Sequence, residues 1–516
     1  MWLMATQNPF ENGMERRLLL SMALSMAVLF LVPYFYNTLY PPPPAPLSEQ
    51  SQPSLKSQSF SETTPAPTSK RSPMSATNAA PQVVELENED LILRWNTVSA
   101  FLESSRLKRY RTATDDPLEL VRSSSSTLPR AFSVSVGDTQ LDQRLSEAVY
   151  EARGPFREAA SGALNLGLYY RDELIEVSRQ IHVPAAGHVI EISTEVLING
   201  RSVPFKMFLG AGIGTTEGAS SQDFANPMIA YHKEGSVTRL GESDLGDSPV
   251  QLQGPVRWVA LDSQFFTCLV LDVKEMLGSE MTSISSVVDV SGTHALEPPL
   301  LSVELELSPG ANLSAFLGPK DYNVLKEVDV ALPMLIDYGW FAFLVKPLLV
   351  SLKFVYEYVN NYGWAIIILT FGINLALFPV RYKQMSSMKK MSEVQPQMKT
   401  IQAKYKQMKK DDPRRTKMNK EVMELYKRHG VNPLGGCLPL VIQMPFLFAF
   451  YSMLYSSIEL RGAPFIGWIQ DLSQQDPYYI TPVVMGVTMV AQQKMSPAAG
   501  DPAQRKMMML LPVVFT

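Results

Sequence analysis

Eighteen consecutive uncharged residues, YGWAIIILTFGINLALFP, occupy positions 362–379. A helix rises about 1.5 Å per residue, so this stretch makes roughly 27 Å of helix. The hydrocarbon core of a bilayer is ~30 Å thick. The stretch therefore predicts a transmembrane helix.

A strongly basic loop follows this span directly. Residues 380–430 contain 15 Lys and Arg against 5 Asp and Glu, whereas the whole chain has a net charge of −4. Short loops rich in Lys and Arg stay in the cytoplasm. The span at 362–379 is therefore predicted to run from the outside to the cytoplasm, and the charge asymmetry indicates membrane topology rather than DNA binding.

The basic loop carries a helical pattern of its own. Its apolar residues recur three and four positions apart, as in a heptad stripe. They are Met391, Val394, Met398, Ile401, Tyr405 and Met408, followed by Met418, Val422 and Leu425. Because Asp411, Asp412 and Pro413 separate the two runs, we predict a cytoplasmic hairpin of two antiparallel helices. Its charges are either a solvated face that sets topology or a docking surface for anionic lipid headgroups or RNA.

Two further spans are predicted downstream, at 431–456 and 479–495. An exported loop at 457–478 joins them. A cytoplasmic loop at 496–506 leads to the start of another helix at 507–516. The apolar part of the 479–495 span covers only about 18 Å, less than the bilayer.

Polar side chains lie at membrane depth in these spans. They are Asn374, Gln443, Gln492 and Gln493. Facing lipid would be costly for them, and such groups usually face a bundle interior or a cavity. Hydrogen bonding between helices is the alternative.

Before the first of these spans, residues 326–361 predict a helix of a different kind. Lys346, Lys353 and Glu357 are interleaved with aromatic residues and leucines. This pattern favours a helix lying in the membrane interface over one that crosses it.

The N-terminal region predicts a membrane anchor. Arg16 and Arg17 end a cytoplasmic segment at 1–17, and the apolar stretch 18–40 is long enough to span. A cleavable signal peptide is the alternative, but its apolar region would be shorter and a small-residue cleavage site would follow. Residues 41–82, rich in Pro and Ser, predict a linker.

Residues 83–325 predict an exported β domain. The alternation of Phe132, Val134 and Val136 with serines is typical of a strand, and Asn199-Gly200 favours a tight hairpin turn. No amphipathic helix is expected between the strands, so a large antiparallel sandwich is predicted. The whole chain, at 516 residues, exceeds the ~250–300 at which a single core stops growing.

The sequence of this domain contains few candidates for a catalytic, metal-binding or cofactor-binding motif. Gly210, Gly212 and Gly214 lack dinucleotide-binding spacing, so a turn is expected there. The histidines show no metal-ligand spacing, Cys268 is predicted to be a buried strand residue, and with Cys437 it excludes a disulfide framework. No catalytic residue, metal or cofactor is predicted; a binding module remains open.

Several motifs resemble a known family. They are Asn432-Pro433-Leu434-Gly435-Gly436-Cys437-Leu438-Pro439, Gln443-Met444-Pro445, Asp476-Pro477-Tyr478-Tyr479, Met485-Gly486-Val487-Thr488-Met489 and Gln493-Lys494-Met495-Ser496-Pro497. They resemble the YidC insertases of the YidC/Oxa/Alb superfamily, which are not enzymes. The resemblance implies a polytopic α-helical insertase core in the inner membrane, with a large all-β periplasmic domain and a cytoplasmic N-terminus. It also implies a helix continuing beyond 507–516 and one further span, so a chain ending at Thr516 is expected to be inactive.

The resemblance further implies a hydrophilic groove, open to cytoplasm and lipid, that receives the polar part of a substrate helix. Its expected residues here are Thr370, Asn374, Gln443, Gln492 and Gln493. The family commonly has an arginine at the place of Asn374, and the nearest arginine here is Arg381, at the cytoplasmic mouth. A groove without an intramembrane charge is therefore expected.

The hairpin resembles the family's loop that recruits substrates. The residues expected to act in docking at the mouth and hairpin are Arg381, Lys383, Lys389, Lys390, Lys404, Lys409, Lys410, Arg414 and Arg415. The partners implied are nascent membrane proteins, the Sec translocon (SecYEG and accessory subunits), ribosome and signal recognition targeting factors, and membrane lipids. Rival functions are a secondary transporter, which would normally show internal repeats, and a membrane-anchored carbohydrate-binding protein.

Overall fold

The computed structural model describes residues 80–112, 115–121, 130–211, 213–214, 227–241, 244, 250, 256–271, 284–289, 300–405, 414–430 and 438–495. Several predicted features lie outside these residues: the segments 1–17 and 18–40, most of the linker 41–82, the break at Asp411-Asp412-Pro413, Cys437, and the segments 496–506 and 507–516.

The described part of the exported domain contains eighteen strands. They are β1 (Val83–Glu87), β2 (Leu91–Asn96), β3 (Phe101–Arg111), β4 (Pro117–Glu119), β5 (Val134–Ser135), β6 (Glu151–Arg157), β7 (Leu164–Arg171), β8 (Ile175–Val183), β9 (Val189–Ile198), β10 (Arg201–Ser202), β11 (Phe205–Ala211), β12 (Met228–Lys233), β13 (Ser236–Leu240), β14 (Val256–Asp262), β15 (Phe266–Leu271), β16 (Ile284–Asp289), β17 (Leu300–Leu307) and β18 (Asn312–Pro319).

These strands form three sheets, and their described pairings are antiparallel. One sheet has the order β1-β2-β3-β4 and another β16-β17-β11-β5. The largest has the order β13-β12-β14-β15-β18-β9-β8-β7-β6, with β10 paired to β9. A large antiparallel β region followed by helices confirms the predicted fold class.

The alternation of buried and exposed residues explains the sheets. On β8, Ile175, Val177, Ile181 and Val183 are buried in the main apolar core, as period-two patterning requires. Arg179 occupies the remaining buried position of this face. Its guanidinium donates to main-chain carbonyls of neighbouring segments, and burial lowers its pKa to about 10.

Asn199 and Gly200 form the predicted tight turn between β9 and β10. Their φ angles are +51° and +74°, and Ile198 pairs with Arg201 across the turn. Two positive φ angles are what a two-residue hairpin needs. This prediction is confirmed, as is the burial of Cys268 on β15.

Three expectations for this domain are wrong. A helix, α1 (Thr139–Glu147), lies among the strands, because the Asp138 carboxylate accepts from the N–H groups of its first turn and so caps it. Phe132 is not on a strand: it is buried in a turn at a φ of +58°, and only Val134–Ser135 pair as β5. Likewise Gly210, placed in a turn by the sequence, lies on β11 at a bulge.

Seven helices follow the sandwich in the described residues. They are α2 (Tyr322–Val328), α3 (Ala342–Val359), α4 (Tyr362–Ala376), α5 (Phe378–Lys404), α6 (Arg414–Arg428), α7 (Leu438–Ser456) and α8 (Ile480–Met495). Short 3₁₀ turns lie at Leu332–Leu335, Gly339–Phe341 and Ile458–Leu460.

By length and composition, one described helical segment is able to cross a membrane. It is Gly339–Val359, with 21 residues and a mean hydropathy of 1.4, while the apolar helix Tyr362–Ala376 is shorter. The sequence assigns the first segment to the interface, and that assignment stays a prediction. The basic helix α5 begins at Phe378, directly after α4, so the span leads into the hairpin with only Leu377 between them.

Candidate functional site

Helix α4, which carries two of the expected groove residues, is fixed at its N-terminal end. The side chain of Asn361 accepts from the Trp364 N–H at 3.1 Å and donates to the carbonyls of Pro464 and Phe465 at 3.2 and 3.1 Å. One asparagine therefore caps the helix and ties it to the loop after α7.

Thr370 and Asn374 lie one turn apart on α4. Thr370 is exposed and Asn374 half-buried. The Asn374 amide donates to the Thr370 carbonyl at 2.7 Å. Within the described part of the chain, the Asn374 side chain therefore bonds to its own helix, at the main chain of Thr370. Its side-chain oxygen accepts no described hydrogen bond, so this face of α4 offers an acceptor without a charge.

Gln443 lies on α7, where its side chain is half-buried. The last two turns of this helix pack against α3 and α4 through Ala449 and Met453, both fully buried with Ala365 of α4. Pro445 lies inside α7 two residues after Gln443. Because a proline has no N–H to donate, it removes one hydrogen bond of the helix. One main-chain carbonyl near Gln443 therefore lacks its usual partner within α7.

Gln492 and Gln493 lie in the last turn of α8, the first exposed and the second half-buried. The start of the helix is held by Asp476. Its carboxylate accepts from the N–H and hydroxyl of Thr481 at 2.8 and 2.9 Å and from the Trp468 indole at 3.0 Å. Desolvation favours the neutral acid, but these bonds outweigh it and hold the pKa of Asp476 below its usual range.

The hairpin helices α5 and α6 contact each other through side chains of the predicted stripe. Val394 and Tyr405 are buried. The Tyr405 hydroxyl donates to Glu421 of α6 at 2.7 Å, which raises the pKa of Tyr405 above its usual value, and the Tyr426 hydroxyl contacts the Met398 sulfur at 3.0 Å. An apolar seam closed by polar bonds therefore joins the two helices.

The basic residues of this hairpin are exposed where they are described. Lys390 and Lys404 point to solvent, and Arg381 is half-buried at the end of the span. Lys404 lies 3.9 Å from the Glu421 carboxylate, a weak surface pair. The side chains of Lys383, Lys389, Arg414 and Arg415, and all of Lys409 and Lys410, lie outside the described residues.

A second apolar core joins the sandwich to the helices, and no sequence pattern predicted it. Trp258, Leu269 and Phe316 face outward from the ten-stranded sheet and are fully buried. They belong to one cluster with residues of the helical part, among them Leu325, Leu335, Val345, Leu352, Ala365 and Met453. The β domain and the helices α3, α4 and α7 thus share buried surface, which fixes these helices against the sandwich.

The turn after α7 completes this joint. Ile458 is buried in the main core of the sandwich, and the Glu459 carboxylate lies 2.6 Å from Lys353 of α3. The Arg461 guanidinium lies over the rings of Tyr110 and Phe266. The signal in the sequence was the charged residues of Glu459-Leu460-Arg461 inside an otherwise apolar stretch.

Taken together, the described geometry supplies uncharged hydrogen-bonding groups on three helices and a cationic hairpin beyond them. Among the described residues there is no group of three or more His, Cys, Asp or Glu placed to hold a metal. Such uncharged groups are able to donate and accept hydrogen bonds with a bound polypeptide.

Two family models match the chain. The model described as "YidC periplasmic domain" matches residues 83–351, and the model described as "60Kd inner membrane protein" matches residues 354–516. The boundary between the two matches, at residues 351–354, lies within α3.

Full-length relatives carry the same name. The chain is 35% identical to "Membrane protein insertase YidC" of Geotalea daltonii, over 98% of this chain and 94% of the relative. It is 36% identical to the protein of that name from Geobacter metallireducens, over 98% and 93%. A crystal structure of an active YidC insertase matches 86% of this chain and 88% of its own, with a TM-score of 0.33 and 15% identity.

Proposed function

Because this chain belongs to the YidC family of membrane protein insertases, we propose that it inserts integral membrane proteins into the inner membrane and helps them fold and assemble. The observation that carries the proposal is the match to named insertases along 98% of the chain. The family consists of insertases rather than enzymes, and its members reside in the inner membrane with a periplasmic domain.

We propose that insertion uses a hydrophilic groove lined by the five polar residues of α4, α7 and α8. They are Thr370, Asn374, Gln443, Gln492 and Gln493. A groove hydrated from the cytoplasm shortens the apolar path that a short exported tail has to cross, which lowers its desolvation cost. The apolar segment of the substrate then partitions from the groove into lipid.

This groove has no charge in mid-membrane. Support comes from Asn374, whose amide is already bonded to Thr370 on its own helix. The first cation along this helical path is Arg381, about two turns further on. Recruitment of acidic tails then takes place at the cytoplasmic mouth, not within the bilayer, and Gln443 and Gln493 receive the polar backbone of the tail.

The basic hairpin is proposed to dock incoming substrates and their targeting factors. Exposed Lys390 and Lys404 on a seam closed by Tyr405 and Glu421 give a rigid cationic surface in the cytoplasm. Ribosomes and signal recognition factors carry the complementary negative charge. The Sec translocon is a further proposed partner, with the N-terminus in the cytoplasm and several spans across the membrane.

Depletion and rescue tests the proposal. The insertase of a bacterial host is depleted, and this protein is supplied with the further C-terminal helices that the family resemblance implies. Translocation of a short tail on a single-span substrate is then followed by protease protection. Protection of the tail is expected. Absence of protection, with the protein stably present in the membrane, would overturn the proposal.

A further inference from the structure

A cavity of about 250 Å³ lies where the sandwich meets the end of α7. The β domain contributes Arg239, Asp262 and, directly after β18, Lys320, and the helical side contributes Asp337, Tyr451 and Tyr455. A water molecule occupies roughly 30 Å³, so the cavity has room for about eight. That is too large for a single structural water and smaller than the pockets of about 300–1,000 Å³ that hold drug-sized ligands.

A buried ion pair lies on the sheet side of the cavity. The Lys320 ammonium lies 2.9 Å from Asp262 Oδ2 and donates to the Ser263 carbonyl at 2.8 Å. Asp262 is 5% exposed and Lys320 7%. The second carboxylate oxygen of Asp262, Oδ1, has no hydrogen-bond partner in the described part of the chain. Leaving a buried acceptor unpaired is costly, and this oxygen is shielded from the cavity by the surrounding protein.

Two further charges are fixed by the backbone. The Arg239 guanidinium donates through Nη2 to the carbonyls of Met334 and Leu335 at 3.1 and 3.0 Å, while its Nε–H has no partner among the described residues. The Asp337 carboxylate accepts from the Gly339 N–H at 2.8 Å and is otherwise exposed. The cavity is thus lined by a fixed cation and a fixed anion in addition to the buried pair.

The balance of these charges selects the ligand. Two cations and two anions line the cavity, so its formal charge is zero, and a ligand with a single net charge would be left uncompensated. The surroundings are those of a membrane interface: Trp340, beside the cavity residue Gly339, is 96% exposed, and Tyr451 is 65% exposed. Trp and Tyr gather at the level of lipid headgroups.

We propose that this cavity binds the headgroup of a zwitterionic phospholipid with a primary ammonium, as in phosphatidylethanolamine. The phosphate faces Arg239, and the ammonium faces the exposed carboxylate of Asp337. A primary ammonium supplies three N–H donors, which a quaternary choline lacks, and so it is able to satisfy carboxylate acceptors. The acyl chains then leave the cavity past Tyr451 and Tyr455 on the outer surface of α7.

The test is lipid retention by the purified full-length protein, read by native mass spectrometry. The protein is taken from vesicles with equal parts of phosphatidylethanolamine, phosphatidylcholine and phosphatidylglycerol. Preferential retention of phosphatidylethanolamine is expected. Asp337→Asn keeps the acceptor for Gly339 but removes the charge, so phosphatidylethanolamine retention is expected to fall about tenfold, the loss of one charge-assisted hydrogen bond. The cavity then has a net positive charge, and preference moves toward phosphatidylglycerol.

A matched control is Asp329→Asn. Asp329 also accepts a backbone N–H, that of Ala331 at 2.6 Å, and pairs with Arg257 at 2.6 Å, but it does not line the cavity. It is expected to leave retention unchanged. A second test, Ser452→Phe, fills the cavity from α7 and is expected to release phosphatidylethanolamine without changing the choice between the other two lipids.

Three results would overturn the proposal: equal retention of all three lipids by the native protein, a preference for phosphatidylglycerol, or the same loss in Asp329→Asn as in Asp337→Asn. Retention is measured without a substrate protein. A failure of the lipid proposal can therefore be distinguished from a failure of the proposed insertase function.

Discussion

The Nζ atom of Lys353 lies 2.6 Å from the carboxylate of Glu459, and this pair joins α3 to the turn after α7. The Glu459 side chain is 12% exposed and that of Lys353 29%. The neighbouring Ile458 is buried in the sandwich core. A single turn of chain therefore contacts both the exported domain and the helices.

Lys353→Met is expected to lower the apparent free energy of unfolding by about 1–3 kcal/mol, because it leaves a mostly buried carboxylate without a partner. Glu459→Gln is expected to cost less, since the amide oxygen still accepts from the more exposed Lys353. Thermal unfolding in detergent measures both. Lys346→Met, at an exposed position of the same helix, is the control, and a loss in that variant equal to the loss in Lys353→Met contradicts this account.

Gly363→Ala is expected to destabilise the start of α4. A Cβ atom at Gly363 would lie 2.1 Å from the Phe465 ring, so the ring or the helix has to move, at a cost of about 1–3 kcal/mol. Gly372→Ala, on the same helix with nothing within 4 Å of the added atom, is expected to be neutral or stabilising by up to about 1 kcal/mol. Thermal unfolding of the two variants is compared. Equal unfolding midpoints would show that the close approach of the Phe465 ring does not destabilise Gly363→Ala.

Asn374→Ala is expected to impair insertion only mildly. The amide bonds to its own helix and carries no charge, so its removal lowers the polarity of the groove without removing an ionic anchor. The measurement is rescue of a depleted host, scored by protease protection of a substrate tail. Complete loss of rescue would show that Asn374 contributes as much as a charged residue would.

Deletion of residues 395–419 is expected to abolish insertion while the protein stays in the membrane. The deletion removes the Tyr405 side of the bond to Glu421 and most of the cationic surface, but leaves α4 and α7 intact. Insertion is followed as above, and membrane fractionation verifies the location. Unchanged insertion would exclude a docking role for the hairpin.

The periodicity of apolar residues predicted much of this fold, because it can be read from a single segment of the chain. The alternation on β8 and the turn at Asn199-Gly200 depend on neighbours in sequence, and both are found. The turn at Phe132 depends on distant segments, because its carbonyl accepts from Arg179, 47 residues along the chain. No local pattern predicts such a contact.

The candidate site likewise contains some residues that the sequence predicts and others that it does not. Polar residues within apolar spans, such as Asn374 and Gln443, are visible in a sequence because they are costly there. The ion pair between Lys353 and Glu459 cannot be read from the sequence, because each charged residue alone is compatible with an exposed position near the interface. Only the packing of α3 against the turn after α7 brings them within 2.6 Å.

The cap at Asp476 predicts a dependence of stability on pH. Its pKa is lowered in the folded protein, mainly by bonds from Thr481, Tyr478 and Trp468 that outweigh desolvation. A depressed pKa contributes stability above the ordinary value, near pH 4, and that contribution is lost as the pH falls through the folded value. Asp476→Asn retains an acceptor but not the charge.

The variant is therefore expected to unfold at a lower temperature than the native protein at pH 6, and the difference is expected to shrink as the pH falls below about 4. Unfolding midpoints of both proteins, measured in detergent between pH 6 and pH 3, test this. Asp471→Asn is a suitable control, since Asp471 lies in the same loop and bonds Ser473 and Gln474 but does not cap α8. A difference between native protein and Asp476→Asn that stays constant across this range would mean that the charge of Asp476 does not stabilise the start of α8.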